Sequence, residues 1–325
     1  MKKVVLSIIL MIAAVTVSAQ QIAVVSSSGS TTMYQTLDEA ISGASSNSVI
    51  YLPAGGFQIS DDVKITNKKL TILGVTHKAN SDNAEGNTII SGNLYFNEGS
   101  STSAVMGCYI SGTIYIGYDK TEVNNILVKY CNVNSIAVYS NSCSGTKVNQ
   151  SYIRNGANFN GASADIKNNI IKGVYQISGG EISYNVFTSR YYTNGSNINT
   201  LAYVHNATIS NNVFLDSSSI HYGSNCQTSK NLTYNKEWGD DGINLGLANW
   251  DGVFKNNAGV TPASDYHFID TYAKYNDDAG LYSGGTDFSD GCLPPVPYVS
   301  VKHIDEQTDA SGNLTVRLRV KSVSE

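Results

Sequence analysis

The chain has 325 residues, only 14% of them charged, and a formal net charge of −5. That length suits one large domain or two modest ones, and the lack of clustered Lys and Arg excludes nucleic acid as a partner. The surface must be made polar by Ser, Asn, Thr, Gly and Tyr, and 21 Tyr against 8 Phe suits half-wet surfaces, because Tyr joins an apolar body to a polar tip.

The chain opens "MKKVVLSIILMIAAVTVSAQQ". Two lysines, a short apolar run and small residues at the end make residues 1–19 a secretory signal peptide, cleaved after Ala19. The expected location is outside the cytoplasm: secreted, periplasmic or at the cell surface. No Cys follows the cleavage point to carry a lipid, and no later stretch is apolar enough to span a membrane.

Residues 36–45 predict a short helix. Thr36 and Glu39 have capping-box spacing, and Leu37, Ala40, Ile41 and Ala44 fall on one apolar face. "SVIYLPAGGFQI" follows as a first strand and turn.

From residue 86 to 260 a phrase recurs: an apolar residue, two variable positions, a small polar residue, then another apolar residue. "VMGCYI", "VKYCNV", "VNQSYI", "IKNNII", "ISYNVF", "ISNNVF" and "LTYNKE" place Cys108, Cys131, Ser151, Asn169, Asn185, Asn212 and Asn235 at its fourth position. "FKNNAG" adds Asn257 more loosely. The intervals run from 16 to 27 residues. Leucine-rich repeats would need a Leu-x-x-Leu-x-Leu frame that is absent. Short strands such as "TIYIG", "SIAVYS", "GVYQIS" and "SIHYG" instead predict a parallel β-helix, each coil supplying two or three strands. The recurring Asn then has a structural role at a coil corner. It tolerates left-handed backbone angles, and stacked Asn side chains bond to the coils above and below. Cys108 and Cys131 enter the same column on adjacent coils, where the alternatives are a disulfide between them or, the favoured reading, two buried thiols filling the corner. With Cys143, Cys226 and Cys292 the cysteines number five, so at least one is unpaired in a monomer, and their spacing is not that of a zinc site.

The interval from 185 to 212 is the longest and predicts a surface loop, "SRYYTNGSN", carrying Tyr191 and Tyr192. Trp238 and Trp250 flank "EWGDDGINLG". These four aromatics are candidate carbohydrate platforms; the competing reading packs the two Trp beneath the loop as core. His205 and His221 are isolated. Beyond "CLPPVPY", which reads as a linker, "YVSVKHIDEQ" and "NLTVRLRVKSV" alternate around a turn and predict a β-hairpin. Two strands are marginal alone, so the hairpin should pack on the β-helix, over its C-terminal end.

"YQTLDEAISGASSNSVIYLPAGGFQI", followed by "KKLTILG", resembles the opening segment of right-handed parallel β-helix proteins of the pectate-lyase-like superfamily. "SDYHFIDTYAKYNDDAGLYSGG" is similar to the closing segment of secreted bacterial members, with Asp278, Gly280, Tyr282, Gly284 and Gly285 at the matching positions and Ser283 inserted. The resemblance covers roughly residues 30–290 and implies fold more than activity, because this superfamily hosts lyases, hydrolases, epimerases, adhesins and inactive scaffolds. A lyase on this fold needs acids on adjacent coils to hold Ca²⁺ and a Lys or Arg base. Asp119, Glu122, Asp165, Glu181 and Asp216 share no repeat position, and Arg154 and Arg190 are the available arginines. Asp240–Asp241 resembles the Asp-Asp of β-helix glycoside hydrolases, without the companion His-Gly, and with Arg-x-Lys only at Arg319–Lys321.

The expectation is an all-β, right-handed parallel β-helix (solenoid) with an N-terminal helical cap and a C-terminal hairpin. Residues 1–19 are the signal peptide, 20–291 the β-helix domain, and 292–325 the Pro-rich linker and hairpin. The leading function is carbohydrate interaction by a monomer without strong catalysis and without a cofactor, Ca²⁺ being the one candidate ion. A polysaccharide lyase or glycoside hydrolase is the alternative, with weak catalytic candidates Asp240, Asp241, Arg154 and Arg190. A structural or adhesive surface protein is the third reading.

Overall fold

A computed structural model describes residues 21–78, 86–188, 200–216, 220–221, 223–256, 264–285, 288 and 293–294, together with the strand backbone of 192–193, 196–197, 298–304 and 316–321. The chain is mostly β, with long stacks of parallel strands, an arrangement consistent with a parallel β-helix. Each coil passes three faces. The first stack runs from Ser48–Tyr51 through Leu70–Leu73, Ala104–Met106, Leu127–Lys129, Thr146–Asn149, Ala164–Lys167, Ser178–Ser183 and His205–Ser210 to Gln227–Ser229. Its inward residues form a single in-register column, Ile50, Ile72, Val105, Val128, Val148, Ile166, Ile182 and Ile209, none exposed to solvent. β-branched side chains suit this position because they are stiff and pack well on a pleated surface. Ile22–Val25 and Thr31–Tyr34 extend the stack in antiparallel fashion. Helix Leu37–Gly43 buries Leu37, Ala40 and Ile41 against the same core, and Thr36 and Glu39 complete its capping box.

The corner between the first and second stacks carries the recurring phrase. Cys108, Cys131, Ser151, Asn169, Asn185, Asn212 and Asn231 point inward there and are fully buried. From Cys131 to Asn212 each backbone N–H donates to the next coil's side chain. Cys131 N reaches Ser151 Oγ at 3.1 Å, and Ser151 N reaches Asn169 Oδ1 at 2.9 Å. Asn169 N, Asn185 N and Asn212 N reach Asn185, Asn212 and Asn231 Oδ1 at 3.0, 3.0 and 3.1 Å. Each Asn Nδ2 then donates to a carbonyl of the preceding coil: Val148 O, Ile166 O, Ile182 O and Ile209 O, at 2.7 to 2.8 Å. Only a side chain with both a donor and an acceptor can close this circuit inside a dry corner, and an amide offers both.

Two expectations are corrected here. The ladder continues through Asn231, while Asn235 is exposed four residues later. Thr228 stands in register with Ile209, so the apolar residue that should open the phrase is missing and the pattern shifts onto "LTYN". The left-handed backbone belongs to the residue before each rung: Gly107, Tyr130, Gln150, Asn168, Tyr184, Asn211 and Lys230, with φ between +47° and +68°. Asn257 lies outside the described residues. Cys108 and Cys131 are free thiols facing the Met106 and Lys129 carbonyls at 3.4 and 3.3 Å, and burial pushes Cys131 up to about 12. Cys143 is also buried and free, Cys226 is half-buried, and Cys292 lies outside the described residues.

The phrase ends in two apolar residues because the second stack is buried on both sides. Ile170–Ile171, Val186–Phe187 and Val213–Phe214 each send one residue inward and one outward, and all six are buried. After the last parallel strand, Ile243–Asn244, the chain folds back over this outer face. Trp250, Phe254, Tyr266, Phe268 and Leu281 cover Ile170, Val186, Val213 and Leu232.

A strap then runs from the late coils toward the early ones along the corner. Asp278 pairs with Lys230 at 2.8 Å, and Gly280 N donates to Asn211 O at 2.9 Å. Asn168 Nδ2 donates to Leu281 O and Ser283 O at 2.9 and 3.1 Å. Gly284, at φ +86°, lies so close over Tyr184 that an added Cβ would come within 2.6 Å of its ring. Pro294 lies beside Gly107, and Leu293 packs on Val75. Pro294 thus lies beside the early coils, and Tyr298–Ile304 and Val316–Lys321 form the expected antiparallel pair.

Two outcomes follow for stability. Asn185→Ala orphans the groups it bonds in neighbouring coils and should lower unfolding free energy by roughly 2–4 kcal/mol in denaturant titration, whereas Asn235→Ala, at an exposed position, should cost less than about 0.5 kcal/mol. His77 is buried with Nε2 unpartnered, and desolvation lowers its pKa to about 4. A base depressed in the folded state stabilises the fold above its unfolded pKa and loses that contribution as pH falls toward the folded value. Between pH 6.5 and 5 the wild type should lose about 2 kcal/mol more than His77→Gln; parallel profiles for the two proteins would contradict this.

Candidate functional site

The third stack has an open outer face. It comprises Lys64–Ile65, Leu94–Phe96, the later parts of Cys108–Ile116 and Asn132–Val138, then Ala157–Asn158, Val174–Tyr175 and Leu201–Ala202. Alternation sends Ile114, Ile116, Ile136 and Val138 into the core, each no more than 3% exposed. The residues between them face outward, because successive strand side chains point to opposite sides. Register places Lys64, Tyr95, Tyr115, Ala137, Asn158, Tyr175 and Ala202 in one outward column.

Tyr95 and Tyr115 stack with centroids 4.8 Å apart and planes at 17°. Tyr118 and Tyr139, from the turn beyond the strands, close on them edgewise or tilted at 4.9 to 5.7 Å. Such contacts are worth about 0.5–1.5 kcal/mol each beyond area burial, so the four rings hold one another as a platform. Burial raises the Tyr95 and Tyr139 hydroxyl pKa values, with Asp61 adding to the first; both remain neutral donors well above neutral pH. At the platform edge Lys64 bonds Asp119 at 3.1 Å and lies 5.2 Å over the Tyr118 ring, and Asn97 also donates to Asp119 at 2.7 Å.

Next to the platform the column drops to Ala137. The missing side chain opens a cleft of about 430 Å³ lined by Thr113, Tyr115, Ser135, Ile136, Ala137, Val138, Tyr139, Asn158 and Asn160. Register puts Tyr115 on one side of Ala137 and Asn158 on the other, while Asn160 N donates to Asn158 Oδ1 and Asn160 Nδ2 to Tyr139 O, both at 2.9 Å, along the rim. None of the nine is Asp, Glu, His, Lys, Arg or Cys, so the cleft is equipped to stack and hydrogen-bond a ligand and lacks a carboxylate, imidazole or amine for general acid–base work.

The sequence candidates sit elsewhere. Trp238 and Trp250 are only 6% and 9% exposed. Trp238 closes the inner column of the second stack, meeting Phe214 edge-on at 5.1 Å, and Trp250 stacks on Phe254 while its Nε1 donates to Leu215 O at 3.1 Å. They are core, not platforms. Tyr191 lies outside the described residues, and of Tyr192 only the backbone is described, in the short antiparallel pair with Ser196–Asn197. Asp240 and Asp241 are exposed in a turn. Asp240 N donates to Thr228 Oγ1 at 3.1 Å, and Asp241 adopts φ +51°.

Arg154 is half-buried and structural. Its guanidinium lies 4.5 Å over Tyr109 and donates to Asn132, to Ile110 O at 2.9 Å and to Ser111 O at 3.3 Å, tying three coils together. Arg190 lies outside the described residues. Among the described residues no group of three or more His, Cys, Asp or Glu could hold a metal ion.

Sequence reasoning missed the tyrosine face. "TIYIGY" and "SIAVYS" signal outward Tyr by alternation, but aligning Tyr115 with Tyr95 needs inter-coil register, and placing Ala137, Asn158 and Tyr175 in the same column needs the register shift between Ile110 and Thr113 that separates Tyr115 from the next coil. No helix among the described residues is long and apolar enough to cross a membrane. Comparison of this chain with protein-family models, with curated proteins and with solved structures returns no match.

Proposed function

We propose that this chain is an exported, right-handed parallel β-helix of the pectate-lyase-like kind, capped by helix Leu37–Gly43, that binds carbohydrate as a monomer without turning it over. The observation that carries the reading is the cleft over Ala137, lined by the rings of Tyr115 and Tyr139 together with Ser135, Asn158 and Asn160. A pyranose has an apolar face that stacks on a ring and equatorial hydroxyls that need both donors and acceptors, which Asn, Ser and Tyr supply together. The signal-peptide pattern at residues 1–19 supports export, and the resemblance over roughly residues 30–290 supports the superfamily. The cleft over Ala137 holds no acid–base pair, which supports binding there; Asp165 and Glu181, read from the sequence as sharing no repeat position, stand in register on adjacent coils of the first stack, where Glu181 is engaged by Lys167.

The test is retention of soluble polysaccharides by the purified protein, run beside assays for new reducing ends and unsaturated products. Tyr115→Ala should weaken retention at least about tenfold, equivalent to ~1.4 kcal/mol, while Asp241→Ala leaves it unchanged. Turnover that disappears in Asp240→Ala would overturn the reading in favour of an enzyme with its site in the Asp-Asp turn.

A further inference from the structure

The same face carries a second aromatic site. Tyr175 belongs to the outward column, and Tyr203 meets it edge-on at 5.4 Å. Tyr203 is 62% exposed, more than Tyr118 or Tyr139, and its backbone holds φ +55°. A left-handed backbone is costly for a bulky residue, and here it presents a ring to solvent.

Register counts three coil steps from Tyr115 through Ala137 and Asn158 to Tyr175. At the usual strand spacing of about 4.8 Å the two platforms are on the order of 14 Å apart along the stack. One coil step is close to the length of one pyranose unit in an extended chain. A linear glycan lying parallel to the stacking axis would put one ring on Tyr115, cross the gap over Ala137 and Asn158, and put another on Tyr175.

Charge narrows the ligand further. The cleft side chains are uncharged, and the one ionised member of the outward column, Lys64, is engaged by Asp119 at 3.1 Å. Among the described residues, a carboxylate brought onto this outward column would lose hydration without gaining a free cation. We infer that the third face is a two-platform site for an uncharged, linear oligosaccharide of at least four units, aligned with the stack. This rests on the carbohydrate reading above and adds length, direction and charge to it.

The experiment is calorimetric titration of the full-length protein with neutral oligosaccharides of two to six units, comprising cello-, xylo-, manno- and laminari- series, and with oligogalacturonides of the same lengths. At least one neutral series should bind with affinity that rises about tenfold or more from dimer to tetramer and then levels, and the matching uronates should bind at least about tenfold more weakly. Tyr175→Ala should abolish the rise with length and leave dimer affinity unchanged, whereas Tyr115→Ala should weaken every length.

Equal affinity for dimer and tetramer, indifference to Tyr175→Ala, or uronates binding as tightly as neutral chains would each overturn the two-platform inference. In those cases the sensitivity to Tyr115→Ala would leave carbohydrate binding standing. Failure of every oligosaccharide to bind would sink the carbohydrate reading itself, and this inference with it.

Discussion

Everything in this molecule hangs on one corner where side chains stand in for main-chain partners. A coil that turns between two sheets interrupts both hydrogen-bond ladders, leaving N–H and C=O groups in a dry interior where an unmade bond costs about 1–3 kcal/mol. The amides of Asn169, Asn185, Asn212 and Asn231 answer this by bonding each other and the turning backbone of neighbouring coils. Because each rung touches the coil on either side, the corner also sets register. The flat aliphatic columns, the outward tyrosines and the cleft over Ala137 all inherit their alignment from it.

The left-handed residue before each rung has a second use. Six of the seven are not glycine, although glycine would relieve the backbone at every one. Four of these six, Asn168, Tyr184, Asn211 and Lys230, hold the strap. Asn168 and Asn211 donate to its carbonyls, Lys230 pairs with Asp278, and Tyr184 receives Gly284. Local strain at the corner is thereby traded for contacts that bind a distant stretch of the chain, a trade that a glycine corner would forgo.

How much of this was legible follows the physics of each feature. "ISNNVF" announces itself because a dry corner accepts few residue types, so its chemistry survives in the letters. The capping box of Thr36 and Glu39 is local and was equally readable. Asn235 reads as the rung in place of Asn231 because the core tolerates Thr228 where the pattern expects an aliphatic residue. Trp238 and Trp250 could not be assigned to surface or core, since that depends on the chain leaving the stacks after Ile243–Asn244 and folding back, which no local spacing records. The tyrosine face was invisible for a related reason. Tyr95, Tyr115 and Tyr175 are 20 and 60 residues apart in the chain, and become neighbours in one column only once turn lengths and the irregularity after Ile110 are known.

The strap changes how the molecule would carry load. In a simple solenoid a tether at the C-terminus pulls on the last coil, and tension passes through every coil in series. Here the chain beyond Pro294 departs beside Gly107, so tension applied there meets the strap first and lifts it from its Pro294 end toward Asp278. Its contacts would then open in succession, as in a zip fastener, before the late coils felt any force. The stacked coils, and the open face they align, are mechanically sheltered behind a sacrificial strip of their own chain.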